Sequence, residues 1–234
     1  MSTIALRGSA WPRRLLVFAG LVVLLLTVVF VGRAWGHGTA ISPMSRQYSC
    51  WKRWGSDFQN PAMQTQDPMC AQAWQANSNA MWNWNGLYQN DLAGQFETKI
   101  PDGELCSGGH TSDGRYAALD TPGAWQATPL STSFTFVNVD EAEHGAVYYR
   151  IYVSKQGYDP TTQPLGWDDL QLAVQTGSYA PGQGDPVTDP ALTGVTVSIP
   201  VSVPGMTGRH IVFMIWQAAH MDQTFFACSD VTFS

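Results

Sequence analysis

His37 is where chemistry can be built in this chain. It follows Ala34 and Gly36, which occupy the −3 and −1 positions of a small-x-small cleavage signal. Ahead of them stand Arg7, Arg13 and Arg14 and a nearly unbroken apolar run over residues 15–31. Cutting after Gly36 leaves His37 with a free α-amine beside its own imidazole. Those two nitrogens can chelate one metal ion, a donor pair that no internal histidine has. A signal peptide over residues 1–36 and a single domain over 37–234 are therefore expected, with the product secreted. The apolar run is also long enough for a membrane anchor that is never cut. The cleavage signal directly after it favours removal.

Such a chelate needs a further nitrogen, and His110, His144, His210 and His220 are available. His210 heads an apolar strand after Arg209 and reads as a strand-edge residue. His110 sits in the glycine-rich stretch Gly108-Gly109-His110-Thr111 just past Cys106. His220 sits in a turn before the last strand. His144 stands immediately before a strongly apolar strand, and a ligand at the rim of a rigid sheet is better placed than one on a loose loop. On position alone His144 leads narrowly.

Composition narrows the partners. The formal charge is −6, and removal of Arg7, Arg13, Arg14 and Arg33 with the leader makes it more negative. Nucleic acid and anionic membranes are poor partners for such a surface. The chain is rich in aromatics, with Trp 10, Tyr 8 and Phe 10, and a neutral carbohydrate rewards exposed aromatic rings. Cys50, Cys70, Cys106 and Cys228 all follow the leader and imply two disulfides in an oxidising compartment. The favoured pairs are Cys50–Cys70, a local staple, and Cys106–Cys228, which ties a loop to the last strand. No Cys-x-x-Cys pair is present to suggest a zinc knuckle.

The elements that must position these residues fall into two halves. An extended segment over residues 37–46 breaks at Pro43. Residues 47–125 carry no useful period-2 run and read as short helices and loops, with helical character from Ala71 to Trp84 and Asp67-Pro68 as the cap that begins it. From Ser133 the pattern turns to strands over residues 134–137, 146–153, 195–203, 210–216 and 225–233. The fold class expected is all-β: an immunoglobulin/fibronectin III-like antiparallel β-sandwich with a long helical-loop insertion between the first strands.

His37-Gly38, Ala142-x-His144 before a strand, and the closing run Gln223-Thr224-Phe225-Phe226-Ala227-Cys228-Ser229-Asp230-Val231 together resemble the bacterial lytic polysaccharide monooxygenases of auxiliary-activity family 10. The likeness runs through Pro101-Asp102-Gly103-x-Leu105-Cys106-Ser107-Gly108-Gly109 and Gly166-Trp167-Asp168-Asp169-Leu170. It implies one copper ion held in a histidine brace by the α-amine and Nδ1 of His37 and Nε2 of His144. Such nitrogen donors suit copper better than a closed tetrahedral zinc site would. Phe225 matches the residue that shields one axial face, and Ala142 a small residue that restricts the other. Gln223 matches a neighbouring position that orients a bound oxygen species, and an amide there cannot donate a proton as an acid would. Trp82 matches an exposed aromatic on the substrate face, with Trp84 the more buried of the two.

The activity implied is oxidative cleavage of β-1,4 bonds in crystalline cellulose, chitin or both, at C1 of the sugar, with C4 as an additional position. It uses oxygen or hydrogen peroxide, an external small-molecule or protein reductant, and a monomeric enzyme. A module that binds cellulose or chitin without chemistry is the competing reading, and it has no need of a terminal histidine. A copper carrier would gather methionines near the site, whereas here they are dispersed. A glycoside hydrolase needs two carboxylates at a set separation, and no pair among Asp102, Glu104, Asp168 and Asp169 stands out.

Overall fold

The computed structural model describes residues 37–234; the leader expected over 1–36 lies outside the described residues. Two sheets face each other. The smaller runs in the order β1 (Gly38–Ser42), β4 (Ser133–Asp140), β8 (Val195–Ser202), β7 (Asp185–Pro186). The larger runs β2 (Tyr88–Asn90), β10 (Gln223–Phe233), β9 (Gly208–Ala218), β5 (Ala146–Ser154), β6 (Leu170–Gln175), with β3 (Thr128–Leu130) also on β10. All pairings are antiparallel except β3 with β10, which is parallel. The sandwich expected from the sequence is present, with this one parallel seam added.

Alternation sets which side chains enter the core. In β8, Val197, Ile199 and Val201 point inward while Ser198, Pro200 and Ser202 face solvent. Pro200 pairs with Thr135 of β4, and β7 reaches only Val195 and Thr196 on the other side. A proline there interrupts no ladder beyond the edge. Strand β10 serves two cores at once. Phe225, Ala227, Val231 and Phe233 enter the layer between the sheets, whereas Phe226 and Cys228 face the helical insertion. The continuous apolar run of β9 has the same cause, since it too is covered on both faces.

The insertion between β1 and β3 is a set of short helices around one short strand, β2. The extended segment at the start ends sooner than the sequence suggested: β1 stops at Ser42, and Arg46 already lies in a helix, Arg46–Trp54, capped by Ser45. The helical stretch expected up to Trp84 begins at Pro68 as its cap predicts, with the Asp67 side chain accepting from the Cys70 N–H and proline in its first turn. It breaks at the extended Asn77 into two helices, Pro68–Ala76 and Ser78–Trp82. Both disulfides join the expected cysteines, Cys50–Cys70 and Cys106–Cys228. A buried ion pair anchors the insertion to the sandwich: Nε of Arg46 donates to Asp230 of β10 at 2.7 Å. Nη1 of Arg46 also donates to the Leu119 carbonyl at 2.6 Å, and its guanidinium lies over the Trp125 ring at 4.7 Å.

Candidate metal centre

His37 is fixed by its main chain before its side chain is considered. The Gly38 N–H donates to the Asn85 carbonyl at 2.9 Å, and the Glu141 N–H donates to the His37 carbonyl at 2.9 Å. Glycine is required next to it. A Cβ at residue 38 would lie 2.2 Å from the Val139 carbonyl oxygen and 2.6 Å from the Trp216 ring. The imidazole packs near Gly86, where an added Cβ would stand 3.5 Å from its Cε1.

His144 sits in the turn between β4 and β5. Asp140, at the end of β4, organises that turn: its Oδ2 accepts the Gly145 N–H at 2.9 Å. The backbone N–H groups of Ala142, Glu143 and His144 also face this carboxylate, while burial raises its pKa. Glu143 and Gly145 take positive φ, at 56° and 66°. Gly145 has little alternative, since a Cβ there would meet the Tyr179 carbonyl oxygen at 2.5 Å. Asp140 was not foreseen from the sequence. Its signal is an aspartate that closes a strand just ahead of a glycine-containing turn.

The Nε2 atom of His144 is buried and has no hydrogen-bond partner among the described residues. Burial, then the charges of His220 and His37, push its pKa down to about 4. The ring is therefore neutral near pH 7, as a metal ligand must be. The mutual influence of His37 and His144 places the two imidazoles in one neighbourhood. Phe225, fully buried, lies 6.1 Å from the His144 ring and stacks on Trp216 at 4.3 Å with the planes 21° apart. The Trp216 Nε1 donates to the Gly145 carbonyl at 3.0 Å, so this wall is tied to the His144 turn.

Gln223 starts β10 on the same face as Phe225. Its Nε2 donates to Oδ1 of Asn90 at 3.3 Å, and its Oε1 is buried without a partner. Ala142 is half-buried in the His144 turn. Trp82 ends the helix Ser78–Trp82 and is 45% exposed, set edge-on against Phe58 at 5.5 Å and Trp74 at 5.2 Å. Four residues on, the same segment reaches Gly86 beside His37. Trp84 is buried against Tyr48 at 4.8 Å and Trp51 at 5.1 Å.

The remaining histidines divide. His110 is far out on its loop, with Nε2 at 3.3 Å from Asp120 and Nδ1 at 3.7 Å from Glu104. His210 lies within β9 rather than at an edge. It is buried, with Nδ1 at 3.0 Å from the Ser154 hydroxyl and Nε2 at 3.1 Å from the Thr207 carbonyl. His220 does join the site: its ring stacks on that of His144 at 3.9 Å with the planes 9° apart.

Among the described residues no group of three or more His, Cys, Asp or Glu gathers to hold a metal. Two imidazoles alone make a poor closed site. The residues fit a copper ion if the third donor is the amine exposed at His37, since neutral imidazole and amine nitrogens are the donors copper prefers. The orphaned, neutral Nε2 of His144 is the observation behind this fit.

Comparison with known proteins adds an independent finding. Residues 37–231 match the family model described as lytic polysaccharide mono-oxygenase, cellulose-degrading, and that match starts at His37. The solved structure of LPMO10B from Micromonospora aurantiaca is 56% identical with a TM-score of 0.81, covering 85% of this chain and 100% of that one. The copper complex of CelS2, described as cellulose active, is 30% identical with a TM-score of 0.69, covering 85% and 99%. The chitin-binding protein CbpD of Pseudomonas aeruginosa is 30% identical over 92% of this chain and 52% of its own length. The chain thus spans about half the length of that curated relative.

Proposed function

The chain belongs to the lytic polysaccharide mono-oxygenase family, and on that premise we propose that it is a secreted copper enzyme acting on crystalline cellulose or chitin. The leader is removed after Gly36, and His37 and His144 hold one copper ion. The carrying observation is the buried, neutral and unpartnered Nε2 of His144 beside a His37 whose main chain is clamped on both sides. Copper bound there would supply one-electron redox chemistry and reactivity with oxygen or hydrogen peroxide at the expense of an external reductant.

The chain's own residues do the positioning. Asp140 holds the turn that carries His144, and the Phe225–Trp216 stack walls off one side from water. Gln223 offers an amide oxygen that can accept a hydrogen bond from a bound group. The small side chain of Ala142 leaves space on its side of the turn. Trp82 presents an exposed indole on which the C–H face of a sugar ring can lie. The surface charge is negative, which suits a neutral polymer and disfavours polyanions. The cellulose-active CelS2 and the chitin-binding CbpD bracket the substrate class.

The test uses processed protein that begins at His37, loaded with copper and given ascorbate and either polymer. Mass spectrometry should find oxidised oligosaccharides: aldonic acids for attack at C1, and 4-ketoaldoses in addition for attack at C4. His37→Ala should abolish them. If that variant still released oxidised products, the copper reading would fall, and polymer adhesion without any oxidised product would indicate a binding module.

A further inference from the structure

We infer that His220 is a positioning residue that sets the ring plane of His144 by stacking on it; this rests on the reading of His144 as a copper ligand. An imidazole ligand must aim one lone pair, and rotation of the ring about its bond to Cβ swings that lone pair away. Metal-binding histidines are commonly oriented through a hydrogen bond at the other ring nitrogen. Here the closest ring contact of His144 is a parallel face, that of His220 at 3.9 Å and 9°. The other rings nearby, Trp216 and Phe225, are both at 6.1 Å and tilted by 46° and 33°. They bound the space without defining a plane.

The turn that carries His220 is held firmly enough to act as a reference. Asp222 Oδ2 accepts the Ala93 N–H at 2.8 Å, and the Asp222 carbonyl accepts the Asp91 N–H at 2.9 Å. The Gln223 N–H donates to the Met221 carbonyl at 2.7 Å, which tightens the turn. The loop around Ala93 thus grips the β9–β10 turn from outside. His220 itself is exposed on its outer side, so its ring also covers His144 from solvent. The two rings come from different connections, β4–β5 and β9–β10, and the stack locks those connections to each other.

The experiment compares parent, His220→Ala and His220→Phe, each processed to begin at His37, with Cu(II) alone as the probe. Titration calorimetry gives the affinity, and electron paramagnetic resonance of the Cu(II) form reports the ligand field. His220→Ala should bind Cu(II) roughly 2- to 10-fold more weakly, the range expected for loss of one aromatic stack, with shifted hyperfine parameters. His220→Phe keeps a flat ring without nitrogens and should restore affinity, spectrum and release of oxidised oligosaccharides. Thermal unfolding of the metal-free proteins confirms that each variant is folded. An unchanged affinity and spectrum in His220→Ala would overturn the inference. So would a Phe variant that fails to restore them, because the nitrogens of His220 would then be what matters. A parent protein without a tight Cu(II) site would instead remove the copper reading on which the inference stands.

Discussion

The Gly145 N–H donates to Oδ2 of Asp140 at 2.9 Å, closing the five-residue step by which the chain passes from one sheet to the other with His144 inside it. Asp140→Ala leaves buried N–H groups of that turn without an acceptor. The expected cost is about 1–3 kcal/mol, together with weaker Cu(II) binding because His144 loses its support. Urea denaturation of the metal-free protein measures the first effect and calorimetry the second. A variant as stable as the parent would show that the turn holds itself.

Trp82→Ala should reduce adsorption to insoluble cellulose or chitin several-fold while leaving Cu(II) affinity unchanged. The ring also makes edge contacts with Phe58 and Trp74, so a loss of about 0.5–1.5 kcal/mol in stability is expected as well. Pull-down isotherms on the solid polymer decide. Unaltered adsorption would place the sugar-contacting surface elsewhere.

Asp120 supplies a pH test away from the metal centre. Burial, the largest cause, raises its pKa from 3.8 to about 6, against the lowering effect of its hydrogen bonds with Ser107. Between those values the folded protein holds a proton that the unfolded chain has released. Stability therefore falls as pH rises from about 4 to about 6 and is flat from this group above that. Asp120→Asn retains an acceptor for the Ser107 N–H, which now donates at 2.9 Å, and has nothing to titrate. It should flatten that slope and gain about 1–2 kcal/mol at pH 7. Denaturation midpoints across this range measure it, and an unchanged slope would assign the dependence to other groups.

Arg46→Ala leaves Asp230 charged, buried and short of its closest partner. A cost of about 3–5 kcal/mol is expected, seen as a lower urea midpoint. Arg209 approaches the same carboxylate at 3.4 Å, and its movement toward Asp230 would appear as a smaller loss.

Much of the scaffold was legible because burial imposes a period. The alternation through Val197, Ile199 and Val201 and the unbroken apolar run after His210 each announce a strand. Asp67-Pro68 announces a helix through its capping geometry. Strand β6 was missed because Leu170–Gln175 is half-exposed and lacks a clear pattern, and β2 because three residues are too few for one. For the candidate centre, position along the chain brought His144 forward and left His220 behind. Stacking between residues 76 positions apart depends on how two turns meet, and no local pattern encodes that meeting. Asp140 was overlooked for a related reason, since an acid at a strand end looks like ordinary solvated surface until the turn closes around it.

Strand β10 begins at Gln223 beside the candidate centre and ends at Phe233, a strand of eleven residues. At about 3.4 Å per residue in an antiparallel strand, it carries the chain roughly 35 Å away from Gln223. The two ends of the domain thus have opposite engineering value. A tag or partner joined ahead of His37 would remove the amine on which the proposed copper site depends, whereas one joined after Ser234 is carried on the far pole and leaves the proposed Trp82 face free to lie flat on a fibre.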